Sequence, residues 1–111
     1  MQILWTARGA CLTLEEATTF LARLRGLMLR PPLPPAHGLL LAPCASIHMC
    51  FMRFAIDAVY IDRDCRVLKV AAHLRPWLGL SVCPGAWGCI ELASGEAARL
   101  GIAAGERLRS Q

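Results

Sequence analysis

The chain has 111 residues, 56% of them hydrophobic and 18% charged, which excludes disorder and suits one ordinary domain over 1–111 with a single core. The formal charge of +4 is carried almost wholly by scattered arginines, with Lys69 the single lysine, and no basic run is interleaved with aromatics; a nucleic-acid partner is not expected. No apolar run reaches the roughly 18 residues of a spanning helix, and "MQILWTARGACLTLEEA" lacks the cationic start and cleavage site of a secretory leader, so the expected location is cytoplasmic, with no membrane partner.

Residues 2–7, "QILWTA", suit a short strand. In "TLEEATTFLARLRGLMLR" Thr13 and Glu16 form a capping box, and apolar residues fall at Ala17, Phe20, Leu21, Leu24 and Met28. The spacing predicts a helix from about 14 to 26, capped by Thr13 and laid on a sheet. "RPPLPPAHG" is a stiff connector, because its prolines remove donors and fix φ. From Gly38 the pattern turns to strands: "GLLLA", "IHMCFMRF", "DAVYID", "RVLKVAA" and "AWGCIEL", with "GERL" as a last strand and "SGEAARLG" as a short helix at about 95–100. The expected fold is mainly β (α+β by content): a compact antiparallel sandwich or barrel, jelly-roll-like, with one N-terminal and one short helix.

Six cysteines contain no C-x-x-C pair, so small buried thiols are expected rather than a disulfide scaffold, with no metal and no cofactor. Cys65, on the polar turn "DRDC", is expected to be the most reactive.

The stretch "IHMCFMRFAID" raises the main question, because it sets Arg53 and Asp57 in strongly apolar surroundings. Its apolar parity changes between Phe54 and Asp57, which requires a break in the strand. Two outcomes stay open. Asp57 caps backbone N–H groups at the break while Arg53 reaches water, or both line a cleft that holds a polar ligand. His48, among Cys50 and Met52, is expected to be a satisfied core histidine.

Here the chain resembles the domain-of-unknown-function family 192, an uncharacterised small β domain of bacteria and archaea. The resemblance rests on "RGLMLRPPLPPAHGLLL", "FMRFAIDAVYIDRDCRVLKV" and "IELASGEAARLGIAAGERL", nearly the whole chain. The family's motif positions fall on Gly26, Leu27, Met28, Arg30, Gly38, Phe51, Met52, Arg53, Asp57, Glu91, Leu92, Gly95, Gly105 and Glu106. The resemblance implies a compact, mainly β fold of jelly-roll or barrel type and no established activity. Ala55 stands where relatives have proline, and Cys65 stands where they have glycine, so Cys65 is expected to accept an uncommon backbone.

Three functions follow for testing. The first is a non-enzymatic module that binds a small ligand or protein at a polar cleft near Arg53, Asp57, Glu91 and Arg30, as a monomer or weak dimer. The second is an acid–base enzyme using Asp57 and Glu91 with Arg53 as anion holder; no nucleophile or phosphate-loop motif supports it. The third is an assembly protein with Trp77, Leu78 and Leu80 as its partner patch, against the simpler expectation that these residues are core.

Overall fold

A computed structural model describes residues 2–17, 19, 32–49 and 52–110. Among the described residues there are eight strands: β1 (Gln2–Trp5), β2 (Cys11–Ala17), β3 (His37–Leu41), β4 (Ser46–His48), β5 (Ile56–Ile61), β6 (Val67–Leu74), β7 (Leu80–Val82) and β8 (Gly88–Ala93). One short helix, α1 (Glu96–Leu100), follows β8. Six strands form a sheet in the order β1-β2-β3-β8-β5-β6, and β4 pairs with β7 in a separate ribbon.

The mainly β expectation holds, with two corrections. The sheet is mixed rather than antiparallel, because β2 runs parallel to β3 from Thr13↔His37 to Ala17↔Leu41. Nor does it close into a barrel: β1 and β6 are its ends. The C-terminal segment instead spans the gap, with Trp5 and Arg109 exchanging N–H···O bonds of 2.6 and 2.9 Å while the Val67 N–H donates to Glu106 O at 2.8 Å. The expected "GERL" strand is reduced to two isolated bridges, Trp5↔Arg109 and Arg66↔Arg107.

The helix predicted from 14 is also corrected at its start, since Leu14–Ala17 belong to β2. Leu12 and Leu14 are buried on one face, while β1 and β3 flank the strand. β1 pairs the strand up to Leu14 and β3 pairs it from Thr13 to Ala17, so tertiary contacts override the local signal. The rest of that prediction, including Phe20, Leu21, Leu24 and Met28, lies outside the described residues.

Alternation of side chains gives the sheet two buried faces. One carries Leu12, Leu14, Leu40, Val59, Ile61, Ile90 and Leu92, covered by Ala97 and Leu100 of α1 and by Leu108. The other carries Leu39, Leu41, Ala58, Tyr60 and Cys89, covered by Ile47, Met49, Met52 and Cys83 from the ribbon and its neighbours. With both faces covered, every residue of β5 is buried. Gly38 lies on the first face, and a Cβ there would sit 2.7 Å from Ile90 Cγ2 and 2.8 Å from Leu92 Cδ2. A larger residue at the motif glycine would therefore push two core side chains aside.

The ribbon is covered on one side only. Ile47 pairs with Ser81 on its buried inner face, whereas the pairs Ser46↔Val82 and His48↔Leu80 face outward. His48 is thus exposed, not a core histidine. The strand break expected in the opening stretch is real and larger than one residue: Ser46–His48 belong to the ribbon, and the chain enters the large sheet only at Ile56.

Candidate functional site

Asp57 is fully buried, and its carboxylate serves three backbone donors. Oδ1 accepts from His73 N–H at 2.9 Å; Oδ2 accepts from Gly95 N–H at 3.1 Å and Ala97 N–H at 3.0 Å. These bonds hold two irregularities in place. On one side β6 bulges, so that Ala72 and His73 lie between the pairs Ile56↔Leu74 and Ala58↔Ala71, with His73 at φ +55°. On the other side α1 begins, with Gly95 at φ +89°. A helix of five residues leaves its first N–H groups without internal partners, and a buried anion is the strongest acceptor available to them. Gly95 is required there, because few L-residues accept that backbone.

The clamp extends one step further. Glu96 Oε1 accepts from Ala36 N–H at 2.7 Å, fixing the loop that leads into β3, while Arg99 donates to the same carboxylate through Nε (2.5 Å) and Nη2 (2.8 Å). The Arg99 fork holds the Glu96 carboxyl below its ordinary range against an opposing effect of burial.

The other site residues expected from the sequence lie apart from this clamp. Arg53 is exposed on the irregular segment before β5. Glu91 is 4% exposed and pairs in register with Leu39 and Ala58, which places it on the second face. Asp57, in register with Leu92, belongs to the first. The two carboxylates therefore lie on opposite sides of one sheet. Arg30 is outside the described residues.

Two features escaped the sequence reading. The first is a cleft of about 340 Å³ where the C-terminal segment crosses the sheet ends, lined by Gln2, Arg63, Asp64, Arg107 and Arg109. Arg107 Nε donates to Asp64 O at 3.0 Å, so one guanidinium is oriented by backbone. Arg63 is far in sequence from Arg107 and Arg109, and only the crossing brings them together.

The second is a group of thiols around Tyr60. Tyr60 is fully buried, donates from its hydroxyl to Ser81 O at 3.0 Å, and is pushed up to about 12 by burial. Beside it the Cys89 thiol hydrogen-bonds to Cys44, which lowers Cys44 to about 7 against the opposing effect of burial and raises Cys89 well above the ordinary range. Cys65, expected to be the most reactive, is instead raised, first by burial and then by Asp62. The backbone expectation for Cys65 holds: it sits at φ +62°.

Strand order, motif positions and the Asp57 clamp can now be set beside known proteins. The model of the DUF192 family, described as "Uncharacterized ACR", matches residues 3–110. The chain belongs to that family. A UPF0127 protein from Thermococcus sibiricus (strain DSM 12597 / MM 739) is 38% identical over 77 residues, covering 66% of this chain. The match spans under half, 46%, of that relative's length. Two crystal structures share the fold at a TM-score of 0.84 each. One is a proposed transcription regulator from Sinorhizobium meliloti 1021, 27% identical, with 97% of this chain and 90% of that one covered. The other is a protein of unknown function from Novosphingobium aromaticivorans DSM 12444, 26% identical, with 96% and 81% covered.

The ribbon is the remaining feature with the character of a site. Leu78 is 78% exposed, Leu80 72%, Trp77 57% and Val82 52%. Trp77 holds φ +67°, an unfavourable backbone for a bulky residue. Its N–H donates to Met49 O at 2.8 Å, which ties the exposed loop to a buried residue of the core.

Proposed function

We propose that this protein is a non-enzymatic binding module whose partner is a protein segment rich in apolar and acidic residues, docked on the outer face of the β4–β7 ribbon. The observation that carries this reading is the continuous exposure of Trp77, Leu78, Leu80 and Val82 on one short piece of chain. A soluble surface rarely leaves such residues together without a use. Charge argues for the chemistry of the occupant. Neither Pro43–Ile56 nor Cys65–Ile90 contains an Asp or Glu, whereas Arg53, Arg66, Lys69 and Arg75 lie in these segments. The Lys69 ammonium sits at the ribbon itself, 2.9 Å from Val82 O. A partner with carboxylates around apolar anchors complements this margin.

The expected polar cleft near Arg53, Asp57 and Glu91 has less to support it, because Asp57 is filled by three N–H donors and Glu91 is on the opposite face. An acid–base pair of Asp57 and Glu91 meets the same difficulty. A small-ligand reading gains support at the other end of the molecule, where Arg63, Arg107 and Arg109 line one cleft suited to a small anion.

Amide chemical shifts distinguish these readings. A synthetic peptide alternating Leu and Glu should move resonances of 46–48 and 77–82, and a Leu–Lys peptide should not. Equal response to both peptides, or shifts confined to Arg63, Arg107 and Arg109, would overturn the ribbon reading. So would broadening of the ribbon resonances with protein concentration alone, which would make the occupant a second copy.

A further inference from the structure

We infer that Cys44 and Cys89 form a peroxide-sensitive thiol pair, in which Cys44 is oxidised first and Cys89 resolves it to a disulfide. The two residues are brought together by strand pairing. Leu41 lies opposite Cys89 in the β3–β8 register, and three residues later the Cys44 N–H donates to Trp87 O at 3.1 Å. The chain thus folds Cys44 back onto β8, where it packs against the buried cluster that contains Cys89. All five described cysteines are free thiols.

The environments of the pair divide the labour. Cys44 is half-buried on the connection between β3 and β4, within reach of solvent; Cys89 is fully buried beneath it. The Cys44 sulfur also lies 3.2 Å from Ser46 O, which accepts its proton when the thiol is neutral. Lowered to about 7, the Cys44 thiol is shifted toward its thiolate form near neutral pH. An ordinary thiol near 8.5 is ionised only to a few per cent there, so Cys44 has on the order of tenfold more of the nucleophilic form. Cys65 and Cys89 are both shifted the other way.

The chemistry balances with a hydroperoxide as oxidant. The Cys44 thiolate attacks the terminal peroxide oxygen, the O–O bond breaks, and hydroxide or alkoxide departs to leave Cys44 as sulfenic acid. The Cys89 sulfur then attacks the Cys44 sulfur. The S–O bond breaks, and the Cys89 proton joins the departing hydroxide as water. Two thiols lose two electrons, and one peroxide is reduced to alcohol (water, for hydrogen peroxide) and water. A dithiol reductant reverses the bond by exchange.

Hydrogen peroxide treatment of the full chain, followed by non-reducing peptide mapping, tests the inference. The expected product is a Cys44–Cys89 disulfide that dithiothreitol removes. In Cys89→Ser, Cys44 should accumulate as sulfenic acid trapped by dimedone, and brief alkylation of the untreated native protein should label Cys44 about tenfold faster than Cys65. If Cys89→Ser does not fold, peptide mapping of the unmodified protein decides alone. Oxidation that begins at Cys65, a disulfide from Cys44 to any other cysteine, or a Cys44 that remains a free thiol would each overturn it.

Discussion

The start of β5 and the ribbon reach opposite solutions to the same local problem, a polar or apolar group in the wrong surroundings. At the start of β5 a carboxylate is buried, and the fold supplies three N–H donors to satisfy it. On the ribbon and the loop before it, Trp77, Leu78 and Leu80 keep more than half of their surface exposed. The first arrangement is complete within the chain. The second is the surface on which the proposed partner would dock. The buried charge in the apolar stretch is thus part of the structure here, and the exposed hydrophobes are what the proposed docking reading rests on.

Variants that separate these regions follow in order of expected size. Asp57→Ala leaves three buried donors without an acceptor and should remove roughly 3–5 kcal/mol of stability, read as a lower urea midpoint. Asp57→Asn keeps one carbonyl acceptor and should lose less. If Asp57→Ala unfolds at the same urea concentration as the parent, the clamp is not what holds α1 to β5. Gly38→Ala adds a methyl between Ile90 and Leu92 and should cost about 1–3 kcal/mol; an unchanged midpoint would mean that the first face has slack.

Tyr60 gives a smaller and cleaner signal, because it is the single tyrosine. Tyr60→Phe should cost about 1 kcal/mol through the lost bond to Ser81 O. Its folded value is raised to about 12, with burial the main cause, against about 10 when unfolded. The folded state therefore holds the phenolic proton more tightly. That contribution is complete below about pH 10 and is lost as pH rises from there through 12. Ultraviolet titration of native protein should show phenolate appearing near 12, and titration in urea near 10; coincident curves would contradict the buried assignment.

At the small end of the scale, Leu80→Ser and Arg53→Ala should each move stability by no more than about 0.5 kcal/mol, as exposed residues do. A larger loss for Leu80→Ser would turn the ribbon's outer face into part of the core.

Much of this fold was legible in the sequence, and the exceptions share one cause. Strands β3, β5, β6 and β8 and the short helix follow from alternation and turn residues that act within a few positions; a break in the opening stretch was also expected, but between Phe54 and Asp57, whereas strand β4 already ends at His48. The first turn of the expected N-terminal helix failed because Leu14–Ala17 are paired by the distant β3, with Leu14 also paired by β1, which no local capping signal reveals. The role of Asp57 was one of two open outcomes, because its donors come from residues 16, 38 and 40 positions later. The meeting of Cys44 with Cys89 and the gathering of Arg63, Arg107 and Arg109 are likewise products of topology. His48, placed in the core by its neighbours in sequence, was misread because the ribbon is covered on only one side.

The most direct measurement of the central contrast is one peptide titration run side by side on Leu80→Ser and Asp57→Asn, each paired with its urea midpoint. Leu80→Ser should keep the parent midpoint and weaken binding of the Leu–Glu peptide by about tenfold or more, as expected for loss of a central apolar anchor. Asp57→Asn should lower the midpoint, yet bind the peptide with the parent's affinity under conditions where it is folded. Parent-like binding by Leu80→Ser, or a folded Asp57→Asn that no longer binds, would contradict the account by moving function back to the buried carboxylate.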